Sequence, residues 1–273
     1  MRALVLPLMF VTTTAFAVDG LTFYMSFDRW MLPDVAAGGR TPLKIVGAPA
    51  LAPGKLGKAL SLDGNSYLEM PAGANVGQTG GTVALWFRPD NWGAKTYDNI
   101  FGFSDSPDNA LHFERSHPGG QFRLVFGGPN VKTQPRERSL FSKEALRNGE
   151  WVHLAATWDL PKQHAEMFIN GHSVASWDQP GPLPLNPPSL LIGCGFGRLG
   201  RAVQGLIDEL VILDHAATAG EVAKLMEGLQ AGGGLTQLSN DALNVVVDQD
   251  HGYLTVGSGG DAEKLVDQLR DCR

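Results

Sequence analysis

Apolar and polar residues alternate along most of this chain. In the segment 82–88, Val83, Leu85 and Phe87 fall on one face, and in 121–126 Phe122, Leu124 and Phe126 do the same. A period of two puts such side chains on one side of a β-strand. The runs 21–27, 59–62, 67–70, 99–103, 110–113, 152–158, 165–169, 173–177, 190–193 and 206–213 also read as strands. Asn170-Gly171, set between two of them, predicts a tight hairpin, because both central residues of such a turn take positive φ. Many short strands separated by Gly and Pro turns predict an all-β, two-sheet antiparallel jelly-roll sandwich.

One segment departs from this period. Thr218 and Glu221 form a capping box, and Val222, Leu225, Met226 and Leu229 recur at helical spacing. A short C-terminal helix is expected there, ended by Gly232-Gly233-Gly234, which reads as a linker. Beyond it, 238–248 and 253–256 read as a small extra β-hairpin around a turn at 250–252, followed by a helix over 262–269. A lone hairpin is marginal in water. This tail therefore either docks on the main domain or is the stub of a further β domain. Pro180-Gly181-Pro182-Leu183-Pro184 reads as a rigid crossover, since proline cannot pair in a central strand.

The N-terminus has the order of an export leader. Arg2 supplies a positive start, 4–16 an apolar stretch and Ala15-Phe16-Ala17 a small-residue cleavage site. The expected organisation is a signal peptide over 1–17, one domain over 18–230, and a linker and tail over 231–273. The apolar stretch is short and interrupted by threonine, and no second one appears, so no membrane insertion of the mature chain is expected. The expected location is secreted, periplasmic or at the cell surface. A net charge of -6 without basic blocks argues against nucleic acid as a partner. Cys194 and Cys272 are the only cysteines. Export permits a disulfide between them; the other reading is a buried small residue and a tail thiol.

Several motifs recur in order: Phe23-Tyr24-Met25-Ser26-Phe27-Asp28, then Gly57-Lys58-Ala59-Leu60-Ser61-Leu62-Asp63-Gly64, Trp151-Val152-His153-Leu154, Met167-Phe168-Ile169-Asn170-Gly171 and Gly205-Leu206-Ile207-Asp208-Glu209. Together they resemble the laminin-G-like branch of the concanavalin A-like lectin/glucanase superfamily, from about residue 21 to about residue 229. That resemblance implies a jelly roll and an exported, non-catalytic recognition module. Its partner would be an extracellular glycan or a cell-surface protein. Two alternatives accompany it: an accessory module of a glycoside hydrolase, or an adhesion unit without a small ligand.

The resemblance also says where chemistry would sit. Glucanases of this superfamily carry acids alternating on one strand, as Glu-x-Asp-x-x-Glu. No such run occurs here, and Asp208 and Glu209, being adjacent, are expected on opposite faces of their strand. A structural calcium ion is implied at Asp28, Asp63-Gly64 and Asp208, against a reading of the first two as turn residues and Asp208 as a buried hydrogen-bonding group. For sugar binding, the candidate segment is 91–98, with Trp92 and Tyr97 as rings and Arg115, His117 and Arg123 as polar contacts. The alternative for Trp92 is packing over the edge of the core.

Overall fold

The computed structural model describes residues 16–77, 79–93, 95, 97–106, 109–126, 138–178, 187–195, 198–230, 235–237, 244–248 and 253–257. In chain order the strands begin with β1 (Phe16–Val18), β2 (Leu21–Met25), β3 (Val35–Ala36), β4 (Lys44–Val46), β5 (Ala50–Pro53), β6 (Lys58–Asp63) and β7 (Tyr67–Pro71). They continue with β8 (Gly80–Pro89), β9 (Asn99–Ser106), β10 (Asn109–Arg115), β11 (Gln121–Phe126), β12 (Arg138–Ala145), β13 (Val152–Asp159) and β14 (His164–Ile169). The last are β15 (His172–Asp178), β16 (Ser189–Ile192), β17 (Gln204–Leu213), β18 (Leu235–Gln237), β19 (Asn244–Asp248) and β20 (Tyr253–Gly257), with helix α1 at Ala219–Gln230 between β17 and β18.

Two antiparallel sheets form the layers. A seven-stranded sheet runs β12-β11-β10-β9-β16-β7-β4. A nine-stranded sheet runs β15-β14-β13-β8-β17-β2-β3, with β6 paired to β17 and β5 to β6. The inward side chains of both meet in one core. Phe101 and Phe113 lie 6.0 Å apart, Phe113 and Phe122 5.3 Å, and Phe103 packs on Trp158 at 5.8 Å. Each fully buried aromatic of this kind contributes roughly 2–3 kcal/mol. The expected strands all appear, and Asn170 and Gly171 take φ of 50° and 75° in a hairpin that pairs Ile169 with His172.

The outer faces of the two sheets differ. On the nine-stranded sheet, Val222, Leu225 and Leu229 of α1 cover Leu21, Tyr24, Ala84, Ala155, Phe168 and Val211. Glu221 Oε2 accepts the Thr218 amide at 2.7 Å, and Thr218 Oγ1 accepts the Glu221 amide at 3.3 Å, so the capping box is closed in both directions. The outer face of the seven-stranded sheet carries the polar side chains Glu69, Asn99, His112, Glu114 and Arg123 beside a small apolar cluster of Tyr67, Leu191, Cys194 and Ala202.

Six strands lie outside the expected set: β3, β4, β5 and β12, and the pair β1 and β18. The first three are two to four residues long, and β12 buries Leu140 while exposing Phe141. A parallel two-stranded ladder, Phe16↔Leu235 to Val18↔Gln237, pairs with neither sheet. Its first strand straddles the boundary expected between leader and domain. The tail hairpin pairs Asn244 with Gly257 and Asp248 with Tyr253. Cys194 is buried beside Tyr67, Leu191 and Ala202. Cys272, its partner in one of the two readings, the leader over 1–15, the linker glycines, the proline run and the expected helix over 262–269 lie outside the described residues.

Candidate functional site

The loop between β8 and β9 forms a rim at one end of the sandwich. Asp98, 1% exposed, accepts the Gly93 amide at 2.8 Å and draws the loop closed. Burial raises the pKa of that carboxyl. Arg115, at the end of β10, donates to the Lys95 carbonyl at 3.3 Å. Its guanidinium lies so close to Gly93 that a Cβ there would sit 3.2 Å from Nε, and Gly93 takes a φ of +102°, so glycine is needed twice over. Lys95 itself donates to the Gly64 carbonyl at 2.5 Å.

Four of the five residues expected to bind sugar meet at this rim. Tyr97 and His117 are 6.2 Å apart, edge to face. Trp92 is half-buried: its ring lies 5.7 Å from Phe87, and its indole N–H donates to the Gly120 carbonyl at 2.8 Å. Trp92 is thus spent on packing the rim against the core. Arg123 lies elsewhere, on the outer face of the seven-stranded sheet. There it pairs with Glu114 at 3.1 Å, donates to Ser139 at 2.9 Å and lies over Phe141.

Sequence reading missed the residue that joins these two places. Arg201, in the 3-10 turn Arg198–Arg201, lies 4.7 Å from the Tyr97 ring centroid and 3.9 Å from Glu114. Nothing in its local sequence marks it, because its partners come from the β8–β9 loop and from β10. Glu114, 3% exposed, also accepts Asn99 Nδ2 at 2.6 Å. In the next row His112 lies over Gly102, where any Cβ would collide with the imidazole. Burial first, then the positive charges of Arg201 and Arg123, push the His112 pKa down to about 3, so the ring is neutral.

The carboxylates expected to hold calcium accept backbone amides. Asp208 is fully buried; Oδ2 accepts the amides of Lys55 at 2.8 Å and Leu56 at 3.0 Å, and Oδ1 that of Glu209 at 3.0 Å. Asp28 Oδ1 accepts the Lys58 amide at 2.8 Å, packed so tightly on Gly57 that no side chain fits there. Asp63 caps its own turn, accepting the Asn65 amide at 2.9 Å. It stands at the far end of β6 from Lys58, about 16 Å away at strand rise. Asp28 and Asp208 thus meet at the 54–58 loop, while Asp63-Gly64 stands apart from them. Among the described residues no three His, Cys, Asp or Glu side chains are grouped to share an ion.

One expectation is corrected. Asp208 and Glu209 do not point to opposite faces. β17 is bulged between Asp208 and Val211, where three steps match two on β8, and Glu209 takes a φ of +51°. Ile207 and Leu210 both enter the core, which leaves the two acids together on the outer face. Glu209 meets Tyr24 there, and Asp208 meets the 55–56 loop. At 0% and 3% exposure, the pair is buried.

Known proteins share this architecture. Domain 4 of AbnA, a GH43 extracellular arabinanase from Geobacillus stearothermophilus, solved in complex with arabinotriose, is 26% identical with a TM-score of 0.62, over 76% of this chain and 98% of that one. The receptor binding domain of botulinum neurotoxin C/D mosaic serotype shares the fold at 11% identity, TM-score 0.60, over 90% of this chain and 63% of that one. Pentraxin-related protein PTX3 of Bos taurus is 30% identical over 95 residues, a segment that is 35% of this chain and 23% of the bovine protein. The laminin G family model of the concanavalin A-like lectin/glucanases superfamily matches residues 62–223, more than half of the chain, and the chain belongs to that family.

Proposed function

We propose that this domain is an exported, non-catalytic recognition module that binds extracellular carbohydrate at the rim formed by Tyr97, Arg115, His117 and Arg201. The observation that carries the reading is the likeness to AbnA domain 4, which runs through 98% of that arabinotriose-bound module. The rim supports it with an aromatic ring, a histidine and two guanidinium groups gathered at one sheet end. Polar groups set around a few rings are how proteins orient saccharides. Among the described residues, the adjacent carboxyls Asp208 and Glu209 are buried and so do not flank a glycosidic bond.

Affinity electrophoresis against a panel of soluble polysaccharides tests this reading. Retardation by at least one polymer, lost in Arg115→Ala with its fold intact, supports it. Mobility unchanged across the panel overturns it. A second reading is favoured by the likeness to one domain of an arabinanase: the module serves a catalytic partner. Reducing ends released by the chain alone would contradict both readings.

A further inference from the structure

We propose that Arg201, held over the ring of Tyr97, receives the carboxylate of an acidic saccharide; this rests on the carbohydrate reading above and specifies its ligand class. Neutral sugars are usually gripped by a bare aromatic face, and the rim has none to spare. Trp92 packs on Phe87 with its N–H committed to Gly120. Tyr97 carries Arg201 on one side and His117 against it.

What the rim presents is charge. Lys95, Arg115 and Arg201 gather at the rim beside Asp98, in a chain whose net charge is -6. Arg123 is committed to Glu114 at 3.1 Å. Arg201 stands apart: it approaches Glu114 only to 3.9 Å, makes no hydrogen bond among the described residues, and its side chain is 37% exposed. A guanidinium laid on a ring loses little further freedom on binding, and its paired N–H groups match a carboxylate fork to fork.

A second feature points the same way. His112 and Asn99 are 4% and 0% exposed, yet His112 Nε2 and Asn99 Oδ1 have no hydrogen-bond partner among the described residues. Buried polar atoms are nearly always satisfied, and each exception asks for a partner. Both flank Glu114, the carboxyl that Arg201 faces. A saccharide seated on Arg201 brings hydroxyl groups, and ordered water with them, to this floor. The neutral His112 ring supplies a hydrogen bond there without adding charge.

The test uses the whole chain and four polymers: polygalacturonate, its methyl-esterified form, polysialic acid and linear arabinan. Esterification removes the carboxylate charge and keeps the backbone. Binding is measured by calorimetry at low and raised salt. The expected result is that polygalacturonate or polysialic acid binds about ten-fold or more tightly than the esterified and neutral polymers, with affinity falling as salt rises. Arg201→Gln, with its melting temperature checked, should erase that preference. Arg201→Lys, which keeps the charge and loses the fork, should fall between. Lys224→Gln removes an equal charge from an exposed position on α1 and should change nothing. Equal binding of charged and uncharged polymers, or full acidic binding by Arg201→Gln, overturns the inference and leaves the carbohydrate reading standing. Binding to none of the four overturns both.

Discussion

The phenol of Tyr24 donates a 2.5 Å hydrogen bond to Oε2 of Glu209, tying β2 to the bulge of β17 across 185 residues, with both residues buried. Burial, chiefly, raises the acids of this bulge from 3.8 to about 7 for Asp208 and from 4.5 to about 8 for Glu209. Asp208 already accepts three amide hydrogens, which suit its ionised form, so the pair's most tightly held proton sits on Glu209. The folded chain keeps protons here that the unfolded chain has shed.

Stability therefore depends on pH in a stated direction. The contribution of the pair is complete below about pH 4 and is lost as the pH rises through about 7 to 8. Asp63, Asp159 and Glu221, whose pKa values are lowered by hydrogen bonds, act oppositely and lose their contribution in acid. Calorimetry should find the melting temperature lower by about 5 °C at about pH 9 than at about pH 6. Glu209→Gln imitates the protonated acid and should flatten that slope. An unchanged slope in the variant would place the proton elsewhere.

Asp208→Ala leaves the amides of Lys55, Leu56 and Glu209 without their acceptor. The expected loss is about 3 kcal/mol in urea unfolding. Because those oxygens serve amides, the loss should be the same with calcium as with a chelator. A larger loss in calcium would reveal an ion held by this carboxylate.

Trp92→Ala should destabilise the domain by about 2 kcal/mol, since a half-buried ring is removed from Phe87. Trp92→Phe keeps the ring and gives up the bond to Gly120, at a cost of about 1 kcal/mol. Saccharide affinity should survive Trp92→Phe. A loss of binding at unchanged stability would make this indole a ligand platform.

Thr218→Ala opens the capping box, and α1 should lose about 1 kcal/mol. The change is visible as a lower urea midpoint at constant slope. Met226 of α1 lies against Gly171 of the hairpin turn, so hydrogen exchange at that turn should quicken with it.

Much of the fold is legible in the amino-acid sequence, because its signals are local. Period-two runs name the core faces of β8 and β11, Asn170-Gly171 names its hairpin, and Thr218 with Glu221 names the start of α1. β12 escapes because, as an edge strand, it buries Leu140 and Ser142 while turning Phe141 outward, so hydrophobicity does not track its pleat. The rim is half legible. Tyr97, Arg115 and His117 lie near one another in sequence and in space, whereas Arg123 is drawn away to Glu114 by the register of β10 with β11.

Sequence alone determined the layered β architecture, the turn and cap chemistry, and the family, since each follows from residues a few positions apart. Tertiary structure decided the rest. A single extra residue in β17 turned Glu209 to the side of Asp208 and made a buried acid pair from a strand motif. The folding of the 198–201 turn onto the β8–β9 loop and β10 brought Arg201 to Tyr97 and Glu114, groups 104 and 87 residues away. Alternation states which face a side chain takes within its own strand. It says nothing of which distant segment will lie opposite, because that is set by strand register and bulges, after the chain has closed its long loops.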